Sequence, residues 1–275
     1  MNLEALPPLR DSLSAHGLLA KKAFGQHFLL DLNITRKIAR LAQVAPGERV
    51  IEIGPGPGGL TRALLEAGAC VTAIEKDPRF QPLLDELRAA APEQFTLLLG
   101  DALDADEAAL AQGAPAHVIA NLPYNVGTPL LLKWLTGPWR PASLTLMFQK
   151  EVAERIVAPV DGDAYGRLAV IAQATADAQI VMDLPARAFT PPPKVDSAVV
   201  RLVPRPDRPT DSRLESLQRI TAAAFGQRRK MLRASLKGLG GETLIAAAGL
   251  DPQARAETID VAGFLRLADA WLAAR

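Results

Sequence analysis

Residues 50–53, Val-Ile-Glu-Ile, are a short apolar run that reads as a buried strand. The run passes straight into Gly54-Pro55-Gly56-Pro57-Gly58-Gly59, and a helical pattern follows over 60–67. Gly68 is placed to stop that helix. Residues 71–74 are the next apolar strand, which ends at Glu75. Two strands joined through a helix make a right-handed crossover and lie parallel in one sheet. This unit constrains the fold more than any other stretch, because it commits the chain to an α/β architecture.

The alternation continues downstream. Helical patterns cover 80–90, 106–111, 129–135, 151–158 and 165–174. Strand patterns cover 95–99, a run ending at Asn121, 143–148, 178–182 and 197–203. The expectation is a Rossmann-like, mostly parallel sheet of seven strands. Residues 203–209 hold three prolines and are the best linker candidate. Beyond them the pattern is helical to the C-terminus. The expected division is a first domain over 1–204 and a small all-helical domain over 205–275. Residues 1–20 read as a loosely held arm.

Composition narrows the classes. Hydrophobic residues make up 49% of the chain and charged residues 22%, the balance of an ordinary globular protein. No apolar run reaches the roughly 18 residues of a membrane span, and the N-terminus lacks a secretory pattern. A cytoplasmic location is the expectation. Cys70 is the single cysteine, so neither an internal disulfide nor a multi-cysteine metal site is available; it reads as a small buried hydrophobe. No metal is expected. The net charge of +1 argues against binding nucleic acid through bulk charge alone.

Gly54, Gly56 and Gly59 match G-x-G-x-x-G, a pattern in which glycines let the backbone turn tightly and approach a ligand. Glu75 follows at the distance where an acid accepts both ribose hydroxyls. Asp101, at the end of the third strand, is placed to accept a hydrogen bond from an adenine amino group. The ligand is therefore an adenosine derivative. Pro55 and Pro57 stiffen the loop, and Arg62 is the only nearby basic residue that could pair with phosphate. An acid-lined pocket repels a pyrophosphate and suits a sulfonium and an α-amino group. S-adenosyl-L-methionine is preferred over NAD on this ground.

The strand ending at Asn121 breaks at Asn121-Leu122-Pro123-Tyr124. With that turn added, the sequence resembles the rRNA adenine N6,N6-dimethyltransferase family, and most closely its bacterial small-subunit (16S) branch, whose loss gives kasugamycin resistance. The resemblance extends from Lys21 onward. It is carried by Phe24-Gly25-Gln26-His27-Phe28-Leu29, Glu52-Ile53-Gly54-Pro55-Gly56-Pro57-Gly58, Ile74-Glu75-Lys76-Asp77, Gly100-Asp101-Ala102, Asn121-Leu122-Pro123-Tyr124-Asn125, the run from Phe189 to Ser197, and Phe225-Gly226-Gln227-Arg228-Arg229-Lys230. It implies a class I S-adenosylmethionine-dependent methyltransferase with a helical C-terminal domain. It also implies that His27 and Leu29 close over the cofactor and that Gly54 lies under its methionine part. By the same resemblance, Glu75 takes the ribose, Asp101 the adenine, and Asn121 sits beside the methyl and the target amine.

The chemistry expected of that turn is positional. The Asn121 side-chain oxygen and the Leu122 carbonyl would accept the two N–H bonds of an adenine amine and aim its lone pair. Pro123 restricts Leu122 to an extended conformation, and Tyr124 would stack on the base. Phe189 either stacks on the other face or packs in the core. A paired adenine would have to leave its stack. From Arg219 to Lys237 there are six basic residues and no acid. Within that run Arg228, Arg229, Lys230, Arg233 and Lys237 form a candidate phosphate-binding cluster, with 229, 233 and 237 sharing a face if the segment is helical. Lys21 and Lys22 are candidates to extend it. The expected partner is 16S rRNA within an immature small ribosomal subunit, with the protein a monomer and no membrane involved. The readings weighed against this are a 23S rRNA dimethyltransferase of the erythromycin-resistance type, an NAD-dependent oxidoreductase, and a non-catalytic assembly factor.

Overall fold

The computed structural model describes residues 3–18, 27–123, 126–227 and 229–275. The chain divides into two compact units. The first comprises Met1–Leu131, Pro141–Ala153 and Ile180–Leu202; the second comprises Leu132–Arg140, Glu154–Gln179 and Val203–Arg275.

The first unit begins with helix α1 (Leu9–Ala15), followed by strand β1 (Phe28–Leu29) and helix α2 (Leu32–Ala42). The βαβ unit then appears as expected: β2 (Arg49–Ile53), α3 (Gly59–Glu66) and β3 (Cys70–Glu75). After it come α4 (Gln81–Ala90), β4 (Phe95–Leu99), α5 (Glu107–Ala111), β5 (Ala116–Asn121), α6 (Gly127–Thr136), β6 (Ser143–Gln149) and α7 (Lys150–Val157). Helix α8 (Arg167–Thr175) leads to β7 (Ala176–Leu184), β8 (Phe189–Thr190) and β9 (Ser197–Pro204).

Seven strands form one sheet in the order β4-β3-β2-β5-β6-β9-β7. Strands β4 to β6 run parallel, and β9 runs antiparallel to β6. The chain winds outward from β2 to β4 and then returns to lay β5 on the other side of β2. A reversal of this kind opens a crevice at the C-terminal ends of the two central strands, where ligands of open α/β sheets bind. Gly54 follows β2 there, and Asn121 ends β5. A separate two-stranded ribbon pairs Phe28 with Thr190 and Leu29 with Phe189. No local pattern announced it, because its strands are two residues long and lie far apart in sequence.

The N-terminal segment is not a loose arm over 3–18. Leu13 of α1 is fully buried in the same core cluster as Phe28, Leu29, Leu84 and Leu87, with Leu3, Leu6 and Leu18 packed against it. The reason is an i, i+4 apolar pair, Leu9 and Leu13, on a helix of only two turns. Cys70 lies in a strand as expected but is half-buried rather than buried, because it stands at the strand's first position.

The second unit has its own apolar core, built from α8, α9 (Asp211–Gly226), α10 (Leu232–Ser235), α11 (Gly241–Ala247) and α12 (Val261–Ala273). Tyr165 is buried in it and donates its hydroxyl proton to the Ile259 carbonyl at 2.9 Å. The linker expected over 203–209 is anchored instead. β9 runs on to Pro204, Arg205 pairs with Asp177 at 2.9 Å, and the buried Arg208 guanidinium donates to the carbonyls of Leu135 and Gly137. Of the charged residues that looked like linker composition, Arg205 is spent on an ion pair and Arg208 on capping backbone carbonyls. Among the described residues no helix is long and apolar enough to cross a membrane.

At the start of β5, His117 is buried between Ser143 and Glu48, 2.8 Å and 3.2 Å away. A carboxylate can only accept, so Nε2–H donates to Glu48 and Nδ1 accepts from the Ser143 hydroxyl. Burial holds the imidazole below its ordinary pKa, against the pull of Glu48. The unfolded chain takes up this proton near 6.5, and the folded chain takes it up only at lower pH. The stability from this group is therefore complete above about pH 6.5 and declines as the pH falls through the folded value. Chemical denaturation tests this: between pH 7.5 and 5.5 the wild-type midpoint should fall further than that of His117→Asn.

Candidate active site

The glycine loop is shaped by its backbone. Gly54, Gly56 and Gly58 all have positive φ, at 64°, 54° and 83°. At Gly58 the positive φ disfavours a side chain, and an added Cβ would also have to displace the terminal methyl of Leu87 of α4. The turn aims the Gly56 N–H at Glu75 Oε2, 2.9 Å away, and Asp77 N–H donates to Oε1 at 2.8 Å. Glu75 is buried at the end of β3. Burial raises its pKa, while the N–H groups of Asp77 and Gly56 oppose that rise. Each carboxylate oxygen keeps a lone pair beyond its backbone bond.

These groups line a cavity of about 880 Å³, within the range of small-molecule sites. His27, Leu29, Gly54, Gly56, Glu75, Asp101, Asn121, Leu122, Pro123 and Phe189 all stand on its wall. The cavity thus brings together every candidate of the cofactor and turn sets that lies among the described residues. Tyr124 lies outside them, as do Lys21, Lys22 and Arg228. His27 Nδ1–H donates to the Pro191 carbonyl at 2.7 Å, and Leu29 pairs with Phe189, so the β1–β8 ribbon holds this edge of the cavity. Phe189 is buried in the core cluster as well as facing the cavity. Asp101 accepts from Leu103 N–H at 2.9 Å and from Lys76 at 2.7 Å; the exposed lysine adds little stability.

Asn121 is placed by strand register. Side chains alternate along β5, so His117, Ile119 and Asn121 share a face. Glu52 of β2 is level with Ile119, so it lies on that face one step below Asn121. Beyond Asn121 the chain turns at once: the Pro123 carbonyl accepts the N–H groups of Val126 and Gly127 and starts α6.

Glu52 is the residue that sequence reasoning missed. It is only 1% exposed, yet it lines the cavity. Its Oε2 has no hydrogen-bond partner, and neither has the buried hydroxyl of Thr61. Burial pushes the Glu52 carboxyl up to about 8; the nearby Thr61 hydroxyl opposes this and the Glu75 charge adds to it. The unmet Glu52 oxygen on the cavity wall calls for an N–H donor from a ligand. The signal was available, because Glu52 opens the motif that contains Gly54. Nothing in the sequence alone distinguishes its buried carboxyl from a salt-bridged one. Arg62, the only nearby basic residue that could have paired with phosphate, does not serve. It is buried and donates from Nη1 to the Pro7 carbonyl at 2.7 Å. The donor set therefore fits S-adenosylmethionine better than a dinucleotide. Among the described residues no group of three metal-ligating side chains occurs.

In the second unit, Arg229, Lys230, Arg233 and Lys237 are exposed. They do not share one helix. Met231 is held extended by a bridge to Arg255, and the N–H groups of Leu232 and Arg233 go to Ala254 and Pro252. Only Leu232–Ser235 is α-helical, and Lys237 starts a separate 3-10 turn. The long-range bridge overrides the helical pattern of the basic run.

Residues 17–272 match the ribosomal RNA adenine dimethylase family. The chain belongs to this family. Among similar members is ribosomal RNA small subunit methyltransferase A of Phenylobacterium zucineum, 76% identical over 275 residues, which are 100% of this chain and 96% of the relative. The Brucella melitensis protein of the same name is 55% identical over 276 residues, covering 99% of this chain and 100% of the relative. Among solved structures, a dimethyladenosine transferase from Plasmodium falciparum aligns with a TM-score of 0.73 at 26% identity, over 88% of this chain and 96% of that one. The 23S rRNA methyltransferase ErmE aligns at 0.67 and 27%, over 88% and 98%. The adenine dimethylase fold is thus a class I methyltransferase sheet.

The Glu52 geometry has a stability consequence. The unfolded carboxyl ionises near 4.5 and the folded one near 8, so stability falls as the pH rises between those values. Glu52→Gln removes that loss. Without ligand, the variant should melt a few degrees above wild type at pH 8.5, and the difference should close toward pH 5. Equal melting at both pH values would show that the carboxyl is not held protonated.

Proposed function

We propose that this enzyme transfers methyl groups from S-adenosyl-L-methionine to the N6 amines of two adjacent adenosines. These lie in a hairpin loop near the 3′ end of 16S rRNA, and the products are N6,N6-dimethyladenosines, made during small-subunit assembly. The observation that carries the reading is Asn121 at the C-terminal end of β5, in one cavity with the glycine loop, Glu75 and Asp101. The relatives named for the small subunit are 55% and 76% identical, whereas the 23S enzyme is 27% identical, which favours the small subunit. In this reading the protein acts as a cytoplasmic monomer on an immature subunit.

S-adenosylmethionine supplies an electrophilic methyl group on a sulfonium sulfur. Glu75 accepts the ribose hydroxyls with the lone pairs left by its two backbone bonds. Asp101 accepts from the adenine amino group. Glu52 meets the α-ammonium with the oxygen that has no partner in the protein. Gly54 and Gly56 let the backbone approach the methionine part, and His27 and Leu29 cover it.

At the other side of the methyl, Asn121 Oδ1 and the Leu122 carbonyl accept the two N–H bonds of the target amine. That geometry turns the nitrogen lone pair away from the ring and toward the methyl group. As the C–N bond would form and the methyl–sulfur bond break to leave a neutral thioether, the same two acceptors would stabilise the positive charge growing on the nitrogen. The proton then leaves readily to water, so an amide suffices and no stronger base is needed. Pro123 fixes the carbonyl direction, and Tyr124 stacks on the base. Phe189, buried behind Leu29, keeps that wall of the cavity rigid. A second cofactor and the same contacts convert the monomethyl amine. Arg229, Lys230, Arg233 and Lys237, with Arg228, Lys21 and Lys22, neutralise rRNA phosphates.

Kinetics with small subunits purified from a strain lacking the gene test the site. Asn121→Ala should lower turnover by about a hundredfold or more, the scale of losing one preorganised hydrogen-bond partner at a developing charge. Calorimetry should find its S-adenosylmethionine affinity within a few-fold of wild type. A large loss of affinity with turnover preserved at saturation would make Asn121 a binding residue only. Tight binding of NAD with none of S-adenosylmethionine would overturn the whole reading.

A further inference from the structure

The family match begins at residue 17, and α1 lies wholly before it. Even so, α1 is built into the wall behind the glycine loop. Gly59, which lines the cavity and starts α3, is the point of contact. A Cβ at Gly59 would lie 2.9 Å from the Leu29 carbonyl oxygen and 3.0 Å from Leu9 Cδ1. The Gly59 backbone therefore meets the Leu29 backbone and the Leu9 side chain with no room for a methyl group. Leu9 is buried there, and Leu29 on its other side forms part of the cavity wall.

One turn into α3, Arg62 locks this arrangement. Its backbone N–H is bonded to the Gly58 carbonyl, and its guanidinium reaches out to the Pro7 carbonyl at 2.7 Å, just before α1. The far end of the helix is tied to α4 by His16 and Glu86, 3.0 Å apart. A buried arginine is costly to desolvate unless its donors are met. Here Nη1 is spent on the Pro7 carbonyl, in a segment that precedes the family match, while Nε has no partner.

We propose that α1, clamped by Arg62, is a working part of the cofactor site: it presses the segment 27–30 against the glycine loop and so sets cofactor affinity. The proposal rests on the reading of the cavity as the S-adenosylmethionine site. Arg62 and Leu9 are positioning residues. They act through Gly59 and Leu29 and touch no reacting atom.

The test uses full-length Arg62→Met, Arg62→Lys and Leu9→Ala. Calorimetry measures S-adenosylmethionine binding, and steady-state kinetics use undermethylated small subunits. Arg62→Met and Leu9→Ala should each weaken cofactor binding about tenfold, as expected when the support of a contact shell is loosened. Turnover at saturating cofactor and KM for the subunit should stay near wild type. Arg62→Lys, which keeps one donor for the Pro7 carbonyl, should recover part of the affinity. Unchanged affinity in folded Leu9→Ala would overturn the proposal, as would a loss confined to turnover. Should Arg62→Met fail to fold, Leu9→Ala and Arg62→Lys decide the matter. A wild-type protein that binds no S-adenosylmethionine would instead refute the reading of the cavity.

Discussion

The hydrogen bonds from Gly56 and Asp77 to the Glu75 carboxylate hold the site together. They tie the loop after β2 to the end of β3, so the position of the loop follows from the parallel pairing of two strands. The same pairing continues from β2 to β5 and brings Asn121 to the same edge of the sheet. Three groups from distant parts of the sequence are thus fixed by one register. A slip of one residue would turn Asn121 to the opposite face of the sheet and dismantle the arrangement.

That frame leaves some polar demands unmet. Glu52 is buried with an oxygen that no protein group satisfies, and its carboxyl is held protonated up to about 8. A core residue chosen for stability would not be an acid. The expense makes sense at a place where a cationic ligand group arrives. The contrast with His117 is instructive. It is also buried and also displaced from its ordinary pKa, but both of its ring nitrogens have partners, so it serves the fold. Asn121 needs no perturbed pKa at all, because its task is to orient an amine rather than to take its proton.

Much of this could be read before the structure. The βαβ unit, the acid ending the second strand and the Asn121 turn are local patterns with fixed offsets, and each fell where expected. What escaped the sequence was non-local. The β1–β8 ribbon joins residues far apart in the chain. The burial of α1 depends on Leu13 meeting a core that other segments build. The basic run reads as a helix until the bridge from Met231 to Arg255 pulls it extended. The charged residues near 205–208 resembled a linker because composition does not reveal that Arg208 caps two carbonyls. Local periodicity carried the elements, and long-range pairing decided the details around them.

The central claim concerns the product, and mass analysis of rRNA addresses it directly. Small-subunit rRNA from a strain lacking the gene would be compared before and after incubation of its subunits with the protein and S-adenosylmethionine. The account predicts two adjacent N6,N6-dimethyladenosines in the 3′ hairpin loop, present only after incubation. No gain of dimethyladenosine in that loop, or a gain in 23S rRNA instead, would contradict it.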